Sequence, residues 1–80
     1  MKTVHLEYVA MVRETVGKPR ESLPTTAADL AGLYADLAAR YQLPWSREAL
    51  RPALNDRIVA WDTSIAHDDR ILFLPPSSGG

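Results

Sequence analysis

The chain contains no cysteine. A disulfide staple, a thiolate nucleophile, a cysteine-ligated zinc or iron–sulfur site and sulfur held covalently on a side chain are all excluded by that absence. Histidine is scarce as well: His5 and His67 are the only two, and they lie near opposite ends of the sequence. Surface solvation is the simpler role for each, and the expectation is a protein with no metal site and no permanently bound cofactor. Charge of one sign is lacking too, since nine Lys and Arg stand against ten Asp and Glu for a net charge of -1. A balance so close to neutral makes no field that attracts a polyanion, and nucleic acid is not expected as a partner. No apolar run approaches the roughly 20 residues that a membrane helix requires. Met1-Lys2-Thr3 leads into an alternating pattern instead of the apolar region of a signal peptide, which points to a cytoplasmic protein without membrane contact.

A length of 80 residues allows one domain with a small core. With 46% hydrophobic and 24% charged residues it should fold by itself. A walled pocket with several converging titratable groups is more than such a chain usually supplies, so function is expected to run through a partner.

What is present is a succession of periods. From Lys2 to Ala10 the residues alternate, Val4, Leu6 and Tyr8 on one face and Thr3, His5 and Glu7 on the other, as in a half-buried strand. Met11 to Val16 fits a short helix stopped by a left-handed Gly17. Pro19 and Pro24 bracket a brief edge strand at Arg20–Leu23. Thr26 and Asp29 resemble a capping box, and Leu30, Leu33, Tyr34, Leu37, Ala38 and Tyr41 form the apolar stripe of the main helix, which Pro44 keeps from continuing. Pro44 to Pro52 reads as a loop or a short helical turn capped by Ser46. Asn55-Asp56-Arg57 between two apolar pairs predicts a hairpin over residues 53–61, and Arg70-Ile71-Leu72-Phe73-Leu74 predicts a central strand buried on both faces. The resulting α+β order, a mixed sheet of about five strands packed on one main helix, is the β-grasp pattern. It occupies residues 1–76, and residues 77–80 are expected to form a flexible tail.

The ending carries the chemistry. Pro75 and Pro76 hold the exit extended and block strand pairing, and Ser77-Ser78-Gly79-Gly80 has too little apolar surface to dock. Paired glycines are the only backbone slender enough for a narrow channel, which makes the α-carboxylate of Gly80 the candidate reactive group, with Gly79 beside it. A carboxylate is a poor electrophile, so chemistry on it needs activation, most simply adenylation by ATP in an activating enzyme. The same four residues are also what an inert tail or an expression remnant would show. A second signal is Val9, Ile58 or Val59, and Leu74, which alternation puts on the sheet face opposite the helix. These either pack under a loop or cluster as a protein interface. Arg13, Arg51, Arg57 and Arg70 are further candidates for partner contacts.

Ala10-Met11-Val12-Arg13-Glu14-Thr15-Val16-Gly17, the Ala53-Leu54-Asn55 to Val59 hairpin and the ending Phe73-Leu74-Pro75-Pro76-Ser77-Ser78-Gly79-Gly80 together resemble the small subunit of molybdopterin synthase, a ubiquitin-like sulfur carrier family. The likeness spans nearly the whole chain. It departs at His67-Asp68-Asp69-Arg70, where family members often carry Asp-Gly-Asp-Glu; Asp68 tolerates the left-handed conformation of the glycine it replaces. The resemblance implies adenylation of Gly80 by a ubiquitin-activating-like adenylyltransferase and conversion to a thiocarboxylate by a sulfurtransferase system. It further implies sulfur donation to cyclic pyranopterin monophosphate in the active site of the large subunit, where the catalytic residues are expected. Val9, Ile58 and Leu74 would form the interface, with Pro75, Pro76, Ser77 and Ser78 entering the partner. A protein modifier joined to lysine through Gly80 and a sulfur carrier for thiamine or cysteine synthesis are the alternatives.

Overall fold

The protein is described here by a computed structural model over residues 1–76; the tail expected at residues 77–80 lies outside the described residues. Alternation at the start of the sequence produces strand β1, Lys2–Glu7, with Val4 and Leu6 buried on one side. Val9 is extended and leads into helix α1, Ala10–Val16. Gly17 ends that helix at φ +90°, its N–H returning to the Arg13 carbonyl at 2.8 Å. Strand β2, Arg20–Thr25, pairs antiparallel with β1 and runs two residues further than the proline bracket predicts. Pro24 fits inside it, opposite Thr3, because β2 is the sheet's outer strand and one of its sides needs no donor.

Helix α2, Leu30–Tyr41, carries the predicted stripe, with Leu30, Leu33, Tyr34 and Leu37 buried. Its cap differs from the expected one. Asp29, not Thr26, is the N-cap, and its side chain accepts from the Gly32 N–H at 2.8 Å. Gln42, at φ +55°, ends the helix two residues before Pro44. A single 3-10 turn at Arg47–Ala49 follows, and Ser46 before it makes no side-chain capping bond.

Strand β3, Arg51–Leu54, begins before Pro52, earlier than predicted. Asn55 and Asp56, at φ +51° and +73°, make the left-handed two-residue reversal to β4, Arg57–Ile58. Asp68, at φ +69°, turns the chain into β5, Arg70–Leu74. The strand order is β2-β1-β5-β3-β4, with β1 and β5 parallel and every other pair antiparallel. This mixed sheet under α2 is the expected β-grasp, with α1 added as a second helix.

Ile71 and Phe73 of β5 complete the core. Trp61 stacks on Phe73, ring centres 5.6 Å apart at 13°, and Tyr34 meets Phe73 edge-on at 5.3 Å. Such pairs add about 0.5–1.5 kcal/mol each beyond the area they bury. Among the described residues no buried side-chain polar atom lacks a hydrogen-bond partner.

Candidate partner interface

Residues paired across a ladder share a sheet face, so the register fixes what the side opposite the helix displays. One row reads Arg20, Glu7, Leu72, Ala53, Ile58. The next reads Ser22, His5, Arg70, and towards the chain's exit Leu74 stands opposite Arg51. An apolar stripe of Leu72, Ala53, Ile58 and Leu74 therefore crosses β5, β3 and β4. Ile58 is 60% exposed, an unusual position for so large an aliphatic side chain.

Of the residues singled out by alternation, Ile58 and Leu74 come to this stripe, and Leu74 is half-buried. Val9, half-buried and extended, continues the parity of Glu7; carrying the β1–β5 register forward sets it level with Leu74. Val59 instead packs against the core. The sequence reading missed Leu72 and Ala53. Four consecutive apolar residues in β5 suggested burial on both faces, but only Ile71 and Phe73 are buried, while Leu72 and Leu74 face the open side half-covered. Parity alone could have found Leu72: once Phe73 is assigned to the core, its neighbours must point away from it.

The histidines, far apart in sequence, are brought to one cluster. His5 Nε2 lies 2.9 Å from Asp68 Oδ1, and its Nδ1 lies 2.7 Å from Ser22 Oγ. His67 Nδ1 accepts from the Thr3 N–H at 3.1 Å, and its Nε2 lies 3.5 Å from Asp68 Oδ2. The bond from His5 holds the Asp68 carboxyl below the usual range. With His5 at 41% and Asp68 at 66% side-chain exposure, water competes for each bond, and the cluster acts as a clamp joining β2, β1 and the turn before β5. Among the described residues no group of three His, Asp or Glu is placed to hold a metal ion, and no helix is long and apolar enough to cross a membrane.

Arg70 is tied to Asp56 at 2.8 Å, and its backbone N–H donates to the Asn55 side chain at 2.9 Å. Arg51 has no carboxylate partner among the described residues. At the exit the ladder stops with Leu74; Pro75 is half-buried and Pro76 exposed. A cleft of about 380 Å³ opens beside Pro76, between the 3-10 turn, Ile58 and Trp61. Ser77, Ser78, Gly79 and Gly80 lie outside the described residues.

A mixed five-stranded sheet grasping one long helix, with an apolar stripe on its bare face, defines a ubiquitin-like protein. The chain belongs to the ThiS family, which residues 6–80 match, and so is a ubiquitin-like sulfur carrier. Among solved structures it resembles a chain of the complex of subunits 1 and 2 of molybdopterin-converting factor from Helicobacter pylori, with 25% identity over 98% of this chain and 99% of that one and a TM-score of 0.68. A Pyrococcus furiosus protein described as molybdopterin converting factor subunit 1 shares 21% identity over 95% of this chain and 99% of its own, with a TM-score of 0.79. The ubiquitin of Caldiarchaeum subterraneum has the same fold at 14% identity, covering 99% of this chain and 98% of its own, with a TM-score of 0.63. No curated protein matches the chain.

Proposed function

We propose that this chain is the sulfur-donating small subunit of molybdopterin synthase, acting in the cytoplasm. The observation that carries the reading is the likeness over nearly the whole chain to a member of the H. pylori two-subunit complex. Gly79-Gly80 beyond Leu74-Pro75-Pro76 supports it, because the ladder stops at Leu74 and the two prolines offer no N–H to extend it towards the glycines.

In this reading the Gly80 carboxylate attacks the α-phosphorus of ATP on an activating adenylyltransferase, releasing pyrophosphate and leaving an acyl-adenylate. The terminal persulfide sulfur of a sulfurtransferase system displaces AMP to give an acyl disulfide, and a second thiol of that system cleaves it, releasing the thiocarboxylate and forming a disulfide on the sulfurtransferase side. On the large subunit that sulfur displaces an oxygen substituent from a side-chain carbon of cyclic pyranopterin monophosphate, forming a thioester, and water cleaves its acyl–sulfur bond, leaving the sulfur on the pterin and returning the carboxylate. Two carriers supply the two sulfurs of the dithiolene. ATP is consumed by the partner, and this chain holds no cofactor of its own. With no cysteine in the chain, the thiocarboxylate is its sole ionisable sulfur, the thioethers of Met1 and Met11 carrying no acidic proton.

The test is intact-mass measurement of protein from the native host after treatment with an alkylating agent. An adduct localised to Gly80 by fragmentation is expected, together with loss of synthase activity when Gly79 and Gly80 are deleted. Absence of the adduct after incubation with ATP, a sulfur source and the host's activating enzyme would overturn the reading. An isopeptide bond from Gly80 to a target lysine would replace it with a protein modifier.

A further inference from the structure

We propose that the cleft beside Pro76 takes a large apolar side chain of the synthase large subunit, with a carboxylate of that subunit paired to Arg51. The inference rests on the carrier reading and names the chemistry by which the partner grips the domain, as distinct from its tail.

Position, walls and charge each support it. Pro76 lines the cleft, which therefore adjoins the point where the described chain stops, continuous with the half-covered Leu74. Leu50, Ile58 and Trp61 make the apolar wall. Trp61 is held from behind by its stack on Phe73 and by Tyr34, whose ring centre is 5.5 Å away. A wall fixed in advance loses little rotamer freedom on binding, which is the condition for an anchor side chain to contribute strongly. At about 380 Å³ the cleft lies at the small end of ligand pockets, which span about 300–1,000 Å³, a size that suits an anchor residue better than a substrate.

The rim supplies the sign. Arg51 stands opposite Leu74 on the bare face, is exposed, and has no carboxylate partner among the described residues. Glu48, the cleft's one acid, already has Arg47 at 3.6 Å. The uncompensated charge is therefore positive, and a partner that covers it without a carboxylate would bury an unpaired guanidinium.

Calorimetric titration of the host's large subunit into the full chain tests this, with Arg51→Glu, Arg51→Lys and Ile58→Asp as variants and circular dichroism to confirm that each is folded. All three changes are at exposed positions. Arg51→Glu should weaken binding by about tenfold or more and flatten its salt dependence, with Arg51→Lys within about threefold of wild type. Ile58→Asp should weaken it at every salt concentration. Equal affinity and salt slope for wild type and Arg51→Glu would overturn the cleft assignment while leaving the carrier reading intact. Failure of the wild-type chain to bind the large subunit would overturn both. Self-association of the wild type that Arg51→Glu abolishes would give the cleft to a second copy of this chain and also overturn the proposal.

Discussion

Tyr8, just past β1, and Tyr41, the last residue of α2, meet edge to face with ring centres 6.4 Å apart and donate to the same oxygen of Glu21, at 2.6 and 2.5 Å. Sheet and helix are thereby tied at the β2 edge through one carboxylate, which Lys18 also approaches at 3.3 Å. Burial pushes the Glu21 carboxyl up, but the bonds from Tyr41, Tyr8 and Lys18 outweigh it and hold the group below its ordinary range.

Glu21→Gln should therefore destabilise the fold by about 1–3 kcal/mol at neutral pH, read by urea denaturation. Because the folded-state pKa is the lower one, Glu21 stabilises the fold fully above the unfolded carboxyl value of about 4.3. That contribution is lost as the pH falls through the folded value. The gap between wild type and Glu21→Gln should accordingly narrow in acid, and a gap independent of pH would contradict the role given to the carboxylate.

At the alkaline end the sign reverses. Burial first, then the hydrogen bond and negative charge of Glu21, push the Tyr8 hydroxyl far above its ordinary range, and burial raises Tyr34. Both contributions are complete below about pH 10 and disappear as the pH rises towards the folded values. Tyrosinate absorbance of these two residues should appear together with loss of structure, later than that of a free tyrosine. Tyr8→Phe should leave a fold whose remaining alkaline transition is less steep.

Two glycines should respond oppositely to alanine. Gly17 sits at φ +90° with no atom within 4 Å of the place a Cβ would occupy, so strain alone opposes the change and Gly17→Ala should lower stability by about 1 kcal/mol. Gly32 is helical, and an added Cβ would make ordinary contact with Asp29 Oδ1 at 3.4 Å and Ala27 Cβ at 3.6 Å. Gly32→Ala should raise stability by about 0.5–1 kcal/mol. Thermal melts of the two variants decide both.

Ile58 and Phe73 offer the same contrast between surface and core. Ile58→Asp should change folding stability by no more than about 0.5 kcal/mol, whereas Phe73→Ala should cost about 3–5 kcal/mol by emptying the space between Tyr34 and Trp61. Urea midpoints of the two proteins measure the difference.

Elements set by local chemistry were legible in the sequence: the Gly17 stop, the α2 stripe, the Asn55-Asp56 reversal and β5 as a central strand. Features set by what lies across the sheet were not. Strand β2 continues through Pro24 to Thr25 because β1 pairs with it along that whole length, an extension that lies outside the proline bracket. Asp29 displaced Thr26 as the cap because the loop after Trp61 docks there, with Leu30 and Ala31 donating to the carbonyls of Thr63 and Trp61. The meeting of His5 with Asp68 follows from β1–β5 register, which no local window contains. For the candidate interface, alternation reached Val9, Ile58 and Leu74, while the cleft with Trp61 and Arg51 depends on the tertiary placement of the 3-10 turn.

The parallel pairing of β1 with β5 also governs the timing of synthesis. Strand β1 finds one of its two neighbours only when β5 has emerged from the ribosome, and closing so long a loop is slow compared with forming α2 or the Asn55-Asp56 hairpin. A nascent chain halted before Arg70 lacks the central ladder and exposes Val4 and Leu6 to chaperones and proteases. Cellular quality control would thus meet prematurely terminated chains before β1 has gained its second neighbour.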